Sequence, residues 1–95
     1  MAESNAAAAS GDKRAQAPGP PRTLMQAHEA LVRIRPKGDA SAAVWKTYYE
    51  RSVALYREIA EIDRGHHHEA LYWAQREQKS ANEMAARIRV VESAD

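Results

Sequence analysis

Apolar and polar residues recur along residues 23–91 with the 3.6-residue period of amphipathic helices, in three blocks. The first opens at Thr23, where Thr23-Leu24-Met25-Gln26 has the T-x-x-Q form of a capping box and Pro21 lies just upstream. Leu24, Ala27, Leu31 and Ile34 fall on one face, with His28 beside that stripe as a half-buried packing residue. Pro36 stops the helix, because the residue before a proline is pushed out of the α region. Pro36-Lys37-Gly38-Asp39 then reads as a turn. The expected helix spans 23–34.

The second block is capped by Asp39 or Ser41 and is expected to run over 41–64. At 100° per residue, Trp45, Tyr48, Tyr49, Leu55, Tyr56, Ile59 and Ile62 share one half of the cylinder with Val44, Val53 and Ala60. Lys46, Glu50, Arg51, Arg57, Glu58 and Glu61 take the other half. Trp45, Tyr48, Ser52, Leu55, Ile59 and Ile62 also follow the alternating three-four spacing of a coiled coil. A half-cylinder is wider than one partner helix needs, so this helix is expected to touch two neighbours.

Gly65 is the expected left-handed C′ residue that closes the second helix. The third helix is expected over 67–91. Its inward face is thinner: Ala70, Leu71, Trp73, Ala74, Ala81, Met84, Ala85, Ile88 and Val91, interrupted by Glu77 and Gln78. Glu83 and Arg87 are spaced for an i,i+4 ion pair on its outer face. Residues 92–95 are expected to fray.

The predicted fold class is all-α: an antiparallel helical hairpin of two long helices plus a short N-terminal helix, preceded by a tail. One continuous helix through Gly65 is the competing architecture. It costs only about 1 kcal/mol at the glycine, but the apolar stripe drifts across the junction and would need a stutter there. Burial decides for the hairpin, because a half-cylinder face needs the chain to fold back or to oligomerise.

Composition narrows the function classes. Residues 1–22 hold few large apolar side chains and end near Pro18-Gly19-Pro20-Pro21, so they are read as a disordered tail. A 95-residue chain with no cysteine has neither disulfide nor thiolate–metal site to reinforce a small core. Self-association is one way to complete such a core. No apolar run approaches the ~20 residues needed to span a bilayer, and no signal-peptide core is present. The expectation is a cytoplasmic protein without membrane contact. Net charge is +1, and the charges alternate in sign rather than forming the basic stripe that nucleic acid requires.

The junction DRGHHHE, residues 63–69, concentrates the candidate chemistry. His66, His67, His68 and Asp63 are metal-ligand types, suited to zinc, nickel or ferrous iron. Consecutive helical residues point ~100° apart, so three adjacent imidazoles cannot all reach one ion from a helix. The competing reading is a polar turn. No nucleophile, phosphate loop or acid–base constellation supports catalysis, and no cofactor is expected.

The stretches TLMQAHEAL and VWKTYYERSVALYREIAEIDRGHHHEALYWAQRE, above all residues 58–74, resemble a group of short uncharacterised actinobacterial proteins. The resemblance implies a helical protein, sometimes encoded near mobile-element genes, and it brings no activity with it. The functional expectation is therefore a non-enzymatic protein-interaction module, self-associating as a homo-oligomer or docking on a partner helix through the wide face of the second helix. A metal-binding or metal-sensing protein is the alternative, and a DNA-associated accessory factor of a mobile element is the second alternative.

Overall fold

A computed structural model describes residues 19–93, and that part of the chain is all-α, with three α-helices and no strand. The elements are α1 (Leu24–Ile34), α2 (Ala42–Ile62) and α3 (His67–Ser93), with a 3-10 turn at Arg64–His66 between the last two. Of the expected tail, residues 1–18 lie outside the described residues, and residues 19–22 carry no helix.

α1 and α2 each start where a side chain can satisfy a free amide. Thr23 accepts from the Gln26 amide at 3.1 Å, and the Gln26 side chain reaches back to the Arg22 amide at 2.9 Å. Ser41, rather than Asp39, caps α2 by accepting from the Val44 amide at 3.2 Å. Pro36 lies in the connection between α1 and α2.

The end of α2 differs from the sequence expectation. The helix stops at Ile62 instead of 64. Its C-cap is Asp63, at φ −103° and ψ 72°, and Gly65 sits inside the 3-10 turn without a left-handed backbone. Side chains do what a left-handed glycine would otherwise do for the last carbonyls. The His67 ring lies 2.7 Å from the Ala60 carbonyl through Nδ1, and Arg64 reaches the same oxygen at 3.4 Å. At the other end, α3 runs on to Ser93, past the expected 91.

The core forms where α2 meets the other two helices. Ile59 and Ala60 of α2, Leu24, Ala27 and Leu31 of α1, and Ala70 and Ala74 of α3 are all buried in one cluster with Tyr48 and Tyr56. The α3 contribution is mostly alanine, which lets the backbones approach closely but supplies little apolar area. Aromatic side chains from α2 fill the difference. Contacts between α2 and α3 run from Ala60–His67, through Tyr56–Trp73 and Ser52–Glu77, to Trp45 and Tyr49 beside Met84 and Arg87.

Several residues on the expected inward stripes remain open. Ile34, Val44, Ile62 and Leu71 are exposed, and Val91 is 69% exposed. Ile34, Val44 and Ile62 stand at the ends of their helices, and Val91 stands near the end of α3, where fewer neighbours exist to cover them. Leu71 lies at the margin of the α3 stripe, on the side away from Trp73. The expected Glu83–Arg87 pair is not among the ion pairs formed by the described residues, which are Lys46–Glu50, Glu61–Arg64 and Asp63–His66.

Candidate functional site

A polar and aromatic cluster joins all three helices at their centre. His28 of α1 places Nδ1 2.7 Å from the Tyr56 hydroxyl, which donates when the imidazole proton sits on Nε2. The His28 ring meets Tyr56 and Trp73 edge-on, at 5.4 and 5.1 Å between centroids. Tyr56 and Trp73 stack across the α2–α3 contact at 6.2 Å. Tyr48 donates its hydroxyl to the Leu31 carbonyl at 3.2 Å, within the last turn of α1. Arg35 and Arg76 lie over the rings of Trp45 and Trp73, at 5.0 and 5.2 Å.

Ser52 and Glu77 are the polar centre of the α2–α3 contact. Ser52 is fully buried, and its hydroxyl lies 3.0 Å from the Tyr48 carbonyl. Half-buried Glu77 of α3 faces the same part of α2. Burial raises the Glu77 carboxyl above the usual carboxylate range and outweighs Arg76, Arg35 and Ser52, which pull it down. Burial likewise pushes the Tyr56 hydroxyl up to about 12, helped by the charge of Glu77 and then by Tyr48.

The sign of the Glu77 effect gives a test. A carboxyl raised by folding adds stability below its unfolded pKa, and that stability is lost as pH rises through the folded value. Glu77→Gln is therefore expected to melt above the wild type at neutral pH, with the gap closing as pH falls through the raised folded pKa to about pH 4, below the ordinary glutamate value. Circular-dichroism melts at both pH values read this directly. A variant less stable than wild type at neutral pH would contradict the account.

The junction is a second polar cluster, organised by Asp63. Its Oδ2 accepts from the Leu24 amide at 2.9 Å, which ties the start of α1 to the end of α2. The same oxygen lies 2.9 Å from His66 Nδ1. The Leu24 amide bond, and then the His66 bond, hold Asp63 below the usual carboxylate range. Asp63 in turn raises His66. For a lowered carboxyl, the stability is present above the unfolded pKa and is lost as pH falls through the folded one. Asp63→Ala is therefore expected to speed amide exchange at Leu24 at neutral pH, with variant and wild type converging in acid. Equal exchange at neutral pH would show that Asp63 does not hold α1.

The proposed metal ligands do not converge. Asp63 and His66 are paired, the His67 ring faces the Ala60 carbonyl, and His68 is exposed. Among the described residues, no group of three or more His, Cys, Asp or Glu is placed to hold a metal ion. The expected interaction face divides in two. Tyr48, Tyr56 and Ile59 are buried against α1 and α3, Trp45, Tyr49 and Leu55 are half-buried, and Ile62 is 41% exposed. Half-buried Trp45 and Tyr49 line a shallow groove with Met84 and Arg87.

Sequence reasoning missed Ser52 and Glu77 as a pair and the His28–Tyr56 bond. The available signal was Glu77 itself, an acid interrupting the apolar stripe of α3. Compared with family models, with curated proteins and with solved structures, the chain matches none of them.

Proposed function

We propose that the chain is a small non-enzymatic protein-interaction module. In this reading α2 and α3 form an antiparallel helical hairpin, and α1 is the short helix laid across it from the junction as far as Tyr48. The order of contacts from Ala60–His67 out to Trp45 and Met84 supports the hairpin. The open end beyond α1 is where a helix from a partner or a second copy docks.

One observation carries this reading: α1 itself docks as such a helix. It is an 11-residue amphipathic segment that buries Leu24, Ala27 and Leu31. Its anchors on α2 run from the Asp63 cap through Tyr56 to Tyr48 and so span most of that helix. α1 ends at Ile34, and Arg35 then stacks on Trp45. Beyond that point Trp45 and Tyr49 on α2, with Met84 and Ile88 on α3, stay half-covered. Gly38 and Ala40 of the α1–α2 connection border the groove at this end, and no helix among the described residues lies over it. Burying one large apolar side chain is worth about 1.5–3 kcal/mol, so a few such residues are enough to hold a helix in place. No helix of the described residues is long and apolar enough to cross a membrane, and the proposed setting is the cytoplasm.

Trp45 is the reporter. Trp73→Phe leaves it as the one indole, and its emission and iodide quenching are read against chain concentration and against added amphipathic helical peptides. Docking is expected to shift the emission to the blue and to protect the ring. Unchanged emission and quenching under every condition would remove the reading.

A further inference from the structure

We infer that Arg35 is a strap over Trp45, latched by the Glu77 carboxylate, that keeps a docking helix off the open end until the latch lets go. This rests on the reading of that end as a docking surface, and it adds the regulation.

The strap follows from the way α1 ends. Pro36 comes next, so Arg35 leaves the helix with an extended backbone, at φ −62° and ψ 130°. The last turn of α1 is pinned to α2 by the Tyr48 hydroxyl on the Leu31 carbonyl. Arg35 therefore starts from a fixed point, and its guanidinium lies 5.0 Å from the centre of the Trp45 ring. Tyr48 and Tyr49 meet the same indole at 5.7 and 5.5 Å. Those rings hold the indole in place while Arg35 covers it. Arg35 is itself exposed, and it forms no ion pair with another described residue. A guanidinium on a half-open ring gains less than a large apolar side chain gains by burial there. The cover is thus one that a docking helix can displace.

Glu77 is the latch. Arg35 faces it from the end of α1, Ser52 and Tyr56 face it from α2, and Arg76 adjoins it on α3. Arg76 is engaged over Trp73, whereas Arg35 reaches from Trp45 to the field of Glu77. From where it stands, Arg35 pulls the Glu77 carboxyl down, against the burial that raises it. The coupling is reciprocal: a cation that favours ionised Glu77 is itself held in place by ionised Glu77. The latch is therefore closed above the folded pKa of Glu77 and opens as pH falls through it. Burial lifts that pKa, so the latch opens in milder acid than one built on a surface glutamate.

Acrylamide quenching of Trp45 in the Trp73→Phe chain tests this without a partner. The ratio of covered to uncovered Trp45 is expected to fall roughly 2–5-fold between neutral pH and about pH 4, the range of an exposed charge contact. Arg35→Ala is expected to give the uncovered value throughout. Glu77→Gln is expected to give at neutral pH the value its parent reaches in acid. It should also lose the pH response, although His28 and the junction histidines still titrate. Equal quenching of Arg35→Ala and its parent, a parent without a pH response, or a response that survives Glu77→Gln would each overturn the inference. An alanine-rich helical peptide with one leucine stripe is expected to bind Arg35→Ala roughly 2–5-fold more tightly than the parent at neutral pH. Equal binding would overturn the regulation and leave the docking reading standing. No binding by either chain, with quenching as expected, would overturn the docking reading and leave the contact of Arg35 with Trp45 and Glu77 standing.

Discussion

Ile59→Ala is expected to cost about 2–5 kcal/mol, enough to leave much of this small domain unfolded at room temperature. Ile59 is fully buried, on the face of α2 that meets both other helices. Its neighbours in the cluster include Ala27, Ala60, Ala70 and Ala74, whose methyl groups cannot reach inward to fill the space left behind. A site lined by short side chains on rigid helices relaxes poorly, which places the loss toward the upper part of that range. Thermal melting is expected to fall by roughly 4–8 °C for each kcal/mol in a domain of this size. Ile59→Val removes one methylene and is expected to cost only about 0.5–1.5 kcal/mol. Similar melts for the alanine variant and the wild type would mean that the three helices do not converge at this residue.

Ala74→Leu is expected to destabilise by about 1–3 kcal/mol, although leucine is nearly as good a helix former and more apolar. Ala74 is almost fully enclosed in the cluster shared with α1 and α2. Three extra carbons at that point must push a helix away or force a strained rotamer. The same substitution at exposed Ala86 on α3 is the control and is expected to change little. Paired melts of the two variants separate overpacking from helix propensity. A neutral or stabilising Ala74→Leu would contradict close approach of the helices through alanine.

The helices were legible in the sequence because their signals are local. Thr23 with Gln26, Ser41 before an apolar stripe, and Pro36 after Ile34 each act within a few residues. The wide face of α2 was legible for the same reason, since periodicity reports which residues share a side. The pairings were not legible. The Asp63–Leu24 bond spans 39 positions, and the His28–Tyr56 bond spans 28. Neither residue type announces its partner. Gly65 misled because a left-handed glycine is the commonest way to end a helix, whereas here His67 and Arg64 turn to the Ala60 carbonyl. The histidine run drew attention as a metal site because adjacent ligand types look alike on paper. In the fold His66 pairs with a carboxylate, His67 faces a carbonyl, and exposed His68 lies edge-on to the His67 ring at 5.3 Å.

The interaction face shows the same limit. Periodicity placed Trp45, Tyr48, Tyr49, Leu55, Tyr56, Ile59 and Ile62 together. It could not say which of them α1 would cover. α1 takes the part between Tyr48 and Asp63 and leaves only the first turns of α2, around Trp45, uncovered. Glu77 sits near that boundary. Its carboxyl, raised by burial, keeps a polar, pH-sensitive point in an otherwise apolar contact.

The chain reversal between α2 and α3 is the central claim, and one distance tests it. Spin labels at Ala43 and Ala86, both exposed, would sit at matched levels of the two helices in the proposed hairpin. With helix axes 8–10 Å apart and labels on the outer surfaces, the expected separation is about 20–30 Å. Labelled chain diluted into unlabelled chain keeps the reading within one molecule. A single helix running through the junction would hold the labels about 65 Å apart at 1.5 Å per residue. A distribution centred near the shorter distance is the predicted result, and one centred near the longer would contradict the fold and the groove built on it.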